Sequence, residues 1–383
     1  MIYPEHLRPG DTVGLIAPAF PVTEERVKCC ISALEGLGLK VKPGKWMMHD
    51  SRVFERIQKE GQKEETQREE VRKEDVQKEE VRKEDVQKEA AGKENVQKEE
   101  VMREGERAEV QKEAVEDGDG VKGYLETFYL AGRPENRAED IHTMFADPQV
   151  KGIFCVRGGY GSAQIMPYLD ASLIAANPKL FIGFSDMTNL LNWFVQKCGV
   201  AAYHGPMVSS NMVDGPMDEY TRTALERAVF ADWDELTVLN PPGKALECIV
   251  PGRAQGQLVG GNVTVFARMT GTFYQPETAG KILFLEDVSE QVASLDMYFT
   301  QMENAGVFDR VAGVIFGDFN ECENRYGMGY SVEKLLRDRF SARKFPVLAG
   351  LCCGHRKTTG TLPMGAWCTM DAGLGEICFS RTQ

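Results

Sequence analysis

Four short segments of this chain carry residues whose types and order could do chemistry at a carbonyl group. In LFIGFSDMTNLL (180–191) an apolar run enters Gly-Phe-Ser-Asp and continues as a helical pattern. A sharp turn of that kind exposes a serine at the carboxyl end of a strand. The helix N-terminus beyond it offers backbone N–H groups and a positive dipole end to an oxyanion. The motif lacks the second glycine of G-x-S-x-G, so Ser185 or Asp186 could equally serve as a simple helix cap. RGGYG (157–161) also follows an apolar run. Its glycines let backbone come close to a ligand, and successive N–H groups can form an anion-binding nest. Its spacing does not fit a dinucleotide motif. In ILFLEDV (282–288) the pair Glu286 and Asp287 closes an apolar run, and either carboxylate could orient a histidine. In LCCGHRKTTGTLP (351–363), His355 follows Gly354 in a loop. Of the five histidines, His6, His49 and His142 lie in unpatterned contexts, and His204 in YHGPM is the one rival. Each feature alone has an ordinary structural explanation. Together they run serine, acid, histidine, the set that supplies a nucleophile, a base and a carboxylate to orient the base.

Those residues need elements to hold them. Strands are expected at 12–17, from 39, at 150–156 and at 180–183, with helices at 24–37, 136–145, 163–168 and 187–197. Such alternation predicts a parallel α/β sheet. A second unit begins near Gly256, with strands at 281–285 and 311–316, a helix at 295–306 and strand-like segments through Asp371. The expected organisation is an N-terminal α/β domain at 1–205 carrying the serine, a linker at 206–252, and a C-terminal domain at 253–383 carrying the acid and the histidine.

Residues 56–118 break this pattern. They contain no aromatic residue and repeat a pentad, VRKED, VQKEE, VRKED, VQKEA, over 71–90. They hold 15 Lys and Arg against 21 Asp and Glu. A period of five builds no apolar helical stripe. It does place Glu four residues before a base repeatedly, as in Glu64/Arg68, Glu74/Lys78 and Glu84/Lys88. Each such pair favours a helix by about 0.2–0.5 kcal/mol. The segment therefore reads as a solvated surface insertion, either helical or disordered.

The net charge of −13 argues against nucleic acid and against an anionic membrane surface as partners. No apolar run reaches the length of a membrane span, and the N-terminus does not read as a signal peptide. A cytoplasmic location is expected. The ten cysteines show no CxxC spacing, and with few histidines no metal and no cofactor is expected.

On seven segments the chain resembles the L,D-carboxypeptidases, the serine peptidases that include muramoyltetrapeptide carboxypeptidases and microcin C self-immunity peptidases. The segments are LRPGDTVGLIAPA (7–19), the stretch 130–161 ending in RGGYG, IGFSDMTNLL (182–191), YHGPM (203–207), GQLVGGNVTVFARMTGT (256–272), ILFLEDVSE (282–290) and GHRKTTGTLPMG (354–365). The insertion departs from the family pattern. The resemblance implies a flavodoxin-like N-terminal parallel sheet and a smaller, strand-rich C-terminal α/β domain. It implies a triad of Ser185, His355 and Glu286, choosing Glu286 over Asp287. It implies an oxyanion hole from the backbone N–H groups of Asp186 and of Gly158 or Gly159, a muropeptide substrate and a homodimer. Arg157 is a candidate for the substrate's terminal carboxylate. Three alternatives stand beside this reading: a peptidase of peptide–nucleotide antibiotics, a non-catalytic binding protein on the same fold, and a scaffold whose long charged segment is the main function.

Overall fold

The computed structural model describes residues 1–48, 130–325 and 329–382. The pentad repeat, expected as helix or disorder, lies outside these residues.

The first half of the chain alternates strand and helix. Strands β1 (Thr12–Ile16), β2 (Lys40–Pro43), β3 (Val150–Cys155), β4 (Leu180–Gly183) and β5 (Ala202–His204) are interleaved with helices α1 (Glu24–Glu35), α2 (Pro134–Ala146), α3 (Ser162–Ile165), α4 (Ala171–Ala176) and α5 (Thr188–Trp193). Local chemistry sets the boundaries. At α1 the Thr23 hydroxyl accepts the Arg26 N–H at 3.2 Å, and Glu24 and Glu25 occupy the first turn. The expected helix at 163–168 ends early, at Ile165, and tightens into a 3₁₀ turn at Met166–Tyr168, because Pro167 cannot continue it. The five strands pair in parallel in the order β2-β1-β3-β4-β5. That is the flavodoxin-like order, as expected. All four residues of β4 are buried, as a parallel sheet covered on both faces requires.

The second half builds a mixed sheet of eight strands. These are β6 (Glu235–Val238), β7 (Glu247–Val250), β8 (Arg253–Asn262), β9 (Ile282–Val288), β10 (Gly313–Asn320), β11 (Val347–Ala349), β13 (Trp367–Asp371) and β14 (Glu376–Ser380), in the order β6-β14-β13-β8-β9-β10-β11-β7. Its centre, β8 to β11, is parallel. The stretch 206–252 contributes the two edge strands, β6 and β7. The short β12 (Leu362–Met364) returns to the first sheet and pairs antiparallel with β5.

Strand β9 extends three residues beyond its expected end. Asn262 of β8 pairs with Glu286, and Phe319 of β10 pairs with Asp287, so the acidic pair lies inside the ladder. Helix α5 packs on β8 through short polar bonds. Asn192 donates to the Gly260 carbonyl at 2.8 Å and accepts the Gly260 N–H at 3.0 Å, while the Thr188 hydroxyl accepts the Asn262 N–H at 3.0 Å. This approach needs Gly261, where a Cβ would lie 2.5 Å from the Thr188 hydroxyl. The helix that follows Ser185 is thereby bolted to the neighbour of the strand that carries Glu286.

Candidate active site

Ser185 sits directly after the fully buried β4. Its φ of +62° is a left-handed conformation that a non-glycine residue adopts only under constraint. A 3₁₀ turn at Ser185–Met187 begins there, α5 follows, and a wider π turn at Phe194–Cys198 ends the expected helix 187–197. The geometry is that of an elbow although the second glycine of the motif is absent. Gly183 supplies the close approach, since a Cβ there would meet the Met187 side chain at 2.8 Å.

The RGGYG loop lies against this elbow. A Cβ on Gly158 would stand 3.0 Å from Cβ and 3.1 Å from Oγ of Ser185, so only glycine leaves the space beside the hydroxyl open. Gly159, at φ +111°, passes Phe20, where a side chain would collide with the ring at 2.3 Å. Asp186 locks loop and elbow together. Its buried carboxylate accepts the Ser162 N–H at 2.8 Å, and its carbonyl accepts the Ser162 hydroxyl at 2.6 Å. Buried Arg137 holds the far side of the loop, donating to the Pro18 and Gly161 carbonyls at 2.6 and 2.8 Å. The Asp186 side chain is therefore structural, which leaves its backbone N–H as the group to consider for an oxyanion.

His355 arrives from the second sheet. Its Nδ1 lies 2.7 Å from Oε2 of Glu286, whose side chain is completely buried. Phe184, the residue before Ser185, packs its ring on the imidazole with centroids 4.8 Å apart. The acidic pair divides as strand alternation demands. Asp287 points the other way, accepting from Asn262 Nδ2 at 2.8 Å and from the N–H and hydroxyl of Thr264 at 2.9 and 2.8 Å. It anchors the start of α6 (Val263–Met269), and burial followed by the Glu286 charge pushes its carboxyl up to about 6. The rival His204 is buried between Phe284 and Phe184, neither ring nitrogen has a hydrogen-bond partner among the described residues, and burial lowers it to about 4. It packs as a neutral ring. At His355 burial also disfavours the cation, but the Glu286 charge and hydrogen bond outweigh it and raise the imidazole above its ordinary 6.5.

Ser185, His355, Gly158, Gly159 and Arg157 all line one open cavity of about 450 Å³. Arg356 and Lys357 add positive charge to its wall, and the acid on the wall, Asp214, is matched by a two-point contact from Arg26 at 2.6 and 2.7 Å. Arg157 is exposed, lies over the Phe20 ring at 5.6 Å and has no carboxylate partner among the described residues. Sequence reasoning missed Phe184, Met207 and Arg356 in this wall, because nothing local marks them.

Gly354 governs the approach of His355 to Glu286. Its φ is +150°, and a Cβ would fall 2.8 Å from Oε2 of Glu286. Gly354→Ala is expected to destabilise the chain by about 1–3 kcal/mol and to lower kcat at least about tenfold, by displacing the acid from the imidazole. Urea unfolding and steady-state kinetics on the same preparation would measure both.

Comparison with known proteins follows this geometry. The family described as LD-carboxypeptidase N-terminal domain matches residues 85–205, and its C-terminal domain family matches residues 255–370. The chain is 32% identical to the murein tetrapeptide carboxypeptidase of Pseudomonas aeruginosa over 254 residues, covering 63% of this chain and 80% of that protein. It is 28% identical to the microcin C7 self-immunity protein MccF of Escherichia coli, covering 64% and 78%. The solved wild-type MccF structure without ligand superposes with a TM-score of 0.73 at 20% identity, covering 99% of this chain and 98% of that one.

Proposed function

Because the chain belongs to the LD-carboxypeptidase family, we propose that it is a serine carboxypeptidase that cleaves the amide before a C-terminal D-amino acid and releases D-alanine from muropeptide tetrapeptides. The observation that carries this reading is the 2.7 Å contact of His355 Nδ1 with buried Glu286, on the wall of the cavity that also holds Ser185 at its strained turn.

In this mechanism Glu286 engages Nδ1 of His355, which leaves Nε2 to take the proton from the Ser185 hydroxyl. The Ser185 oxygen attacks the carbonyl carbon, and the carbonyl oxygen becomes an oxyanion. Backbone N–H groups of Asp186 and of Gly158 or Gly159 receive that charge; they cost no reorganisation because Ser162 and Arg137 already hold the two loops. The intermediate collapses as His355 gives its proton to the departing amine. The acyl-enzyme is then hydrolysed by water, with His355 as base again. Arg157, exposed on the rim, takes the terminal carboxylate of the peptide.

The described residues contain no helix long and apolar enough to cross a membrane. The role proposed for this activity is cytoplasmic cell-wall recycling. The likeness to MccF supports a second reading, hydrolysis of a peptide–nucleotide antibiotic. Incubation with an L,D-linked tetrapeptide and, separately, with an aminoacyl nucleotide distinguishes the two. Release of D-alanine from the first is expected. Cleavage of the nucleotide conjugate alone would transfer the assignment to the second reading.

A further inference from the structure

Strand β10 carries an irregularity opposite Glu286. Phe316 pairs with Leu285 and Phe319 with Asp287, so β10 advances three residues while β9 advances two. The extra residue belongs to the pair Gly317 and Asp318. Bulges of this kind re-aim a side chain and gather beside active sites. Here the bulge turns Asp318 toward the loop that carries His355. The Asp318 N–H donates to the Cys353 carbonyl at 3.0 Å, two residues before the histidine. Its Oδ1 lies 2.8 Å from Nε of Arg356, the residue after the histidine. Between them, a Cβ on Gly354 would meet Oε2 of Glu286 at 2.8 Å on one side and Cβ of Asp318 at 3.2 Å on the other. The two acids thus flank the backbone that delivers the imidazole. The second oxygen of Asp318 is buried without a hydrogen-bond partner among the described residues. An arrangement that leaves a buried carboxylate oxygen unpaired is costly and calls for a reason.

We propose that Asp318 is a positioning residue for His355: from the β10 bulge it clamps the loop on both sides of the histidine and adds a second carboxylate to the one Glu286 supplies. The proposal rests on the reading of His355 as the general base. The charged and titratable groups around this cluster are Glu286 from β9, with Asp287 on the opposite face of that strand, His204 from β5, Tyr220 from the helix Glu219–Val229, Cys352, Cys353 and Arg356 from the loop, and Lys244 from the stretch before β7. Burial pushes the Asp318 carboxyl up to about 6, with Arg356 and Lys244 opposing.

The test follows His355 directly, by NMR of the full chain labelled with ¹³C-histidine, alongside kcat/KM against pH. In Asp318→Asn the negative charge on the histidine loop is gone and Arg356 is left unpaired, so the His355 midpoint should fall by about one pH unit and the acidic limb should move with it. Asp318→Glu keeps the charge and should hold the wild-type midpoint while kcat falls. An unchanged His355 midpoint in folded Asp318→Asn overturns the proposal, since a merely structural aspartate would alter kcat alone. Should Asp318→Asn not fold, Asp287→Asn decides: with the other carboxyl near pH 6 removed, a second inflection on the acidic side of the His355 titration belongs to Asp318, and a single-step curve overturns the proposal. The NMR midpoint needs no turnover, so a wild type that cleaves no peptide would count against the carboxypeptidase reading alone.

Discussion

Ser185→Ala is expected to lower kcat on an L,D-linked tetrapeptide by on the order of 10⁴- to 10⁶-fold, with KM nearly unchanged. The substitution deletes one oxygen and leaves the elbow intact, because alanine has the same backbone freedom at φ +62°. The neighbouring loop is held by Ser162 through Asp186 and does not depend on the Ser185 hydroxyl. Binding should therefore survive while attack is lost. Stopped assays of D-alanine release, with calorimetric binding of the same peptide, would separate the two. A large rise in KM with kcat preserved would mean that Ser185 binds substrate and does not attack it.

Glu286→Gln should cost about 10⁴-fold in kcat. The glutamine amide can donate to Nδ1, which would leave the proton on Nε2, the nitrogen that must accept one from Ser185. A pH profile carries the electrostatic part of the effect. Burial lowers His355, yet the Glu286 charge and hydrogen bond more than offset this and raise it above 6.5. A raised value means that the imidazole keeps its proton to higher pH, so activity that needs the neutral ring falls as pH drops through a midpoint above 6.5. Removing the Glu286 charge should shift the acidic limb of the residual activity to lower pH. An acidic limb that stays in place in Glu286→Gln would show that another group sets it.

Much of this arrangement was legible before the fold was seen, and the exceptions have physical causes. The buried strand LFIG and the turn after it announced Ser185, but Met187 stands where the elbow motif has its second glycine, so a helix cap explained the segment equally well. The close approach instead uses Gly183 and Gly158, one of them from a different loop. Glu286 and Asp287 could not be told apart by pattern, because adjacent strand residues face opposite ways and the sequence does not say which face is the cavity. The partners decide it: His355 for one, Asn262 and Thr264 for the other. Strands β6 and β7 escaped notice because they are four-residue edge strands whose partners, β14 and β11, lie about a hundred residues away or more. Asp318 left no local signal at all, since a bulge exists only in the register of two strands.

The most direct measurement of the central claim uses a tetrapeptide whose terminal D-alanine is replaced by D-lactate, so that an ester is attacked and acylation outpaces hydrolysis. Rapid acid quench and peptide mapping should find the acyl group on the peptide that contains Ser185. The acyl group on another residue, or release of D-lactate by Ser185→Ala at the wild-type rate, would contradict the account.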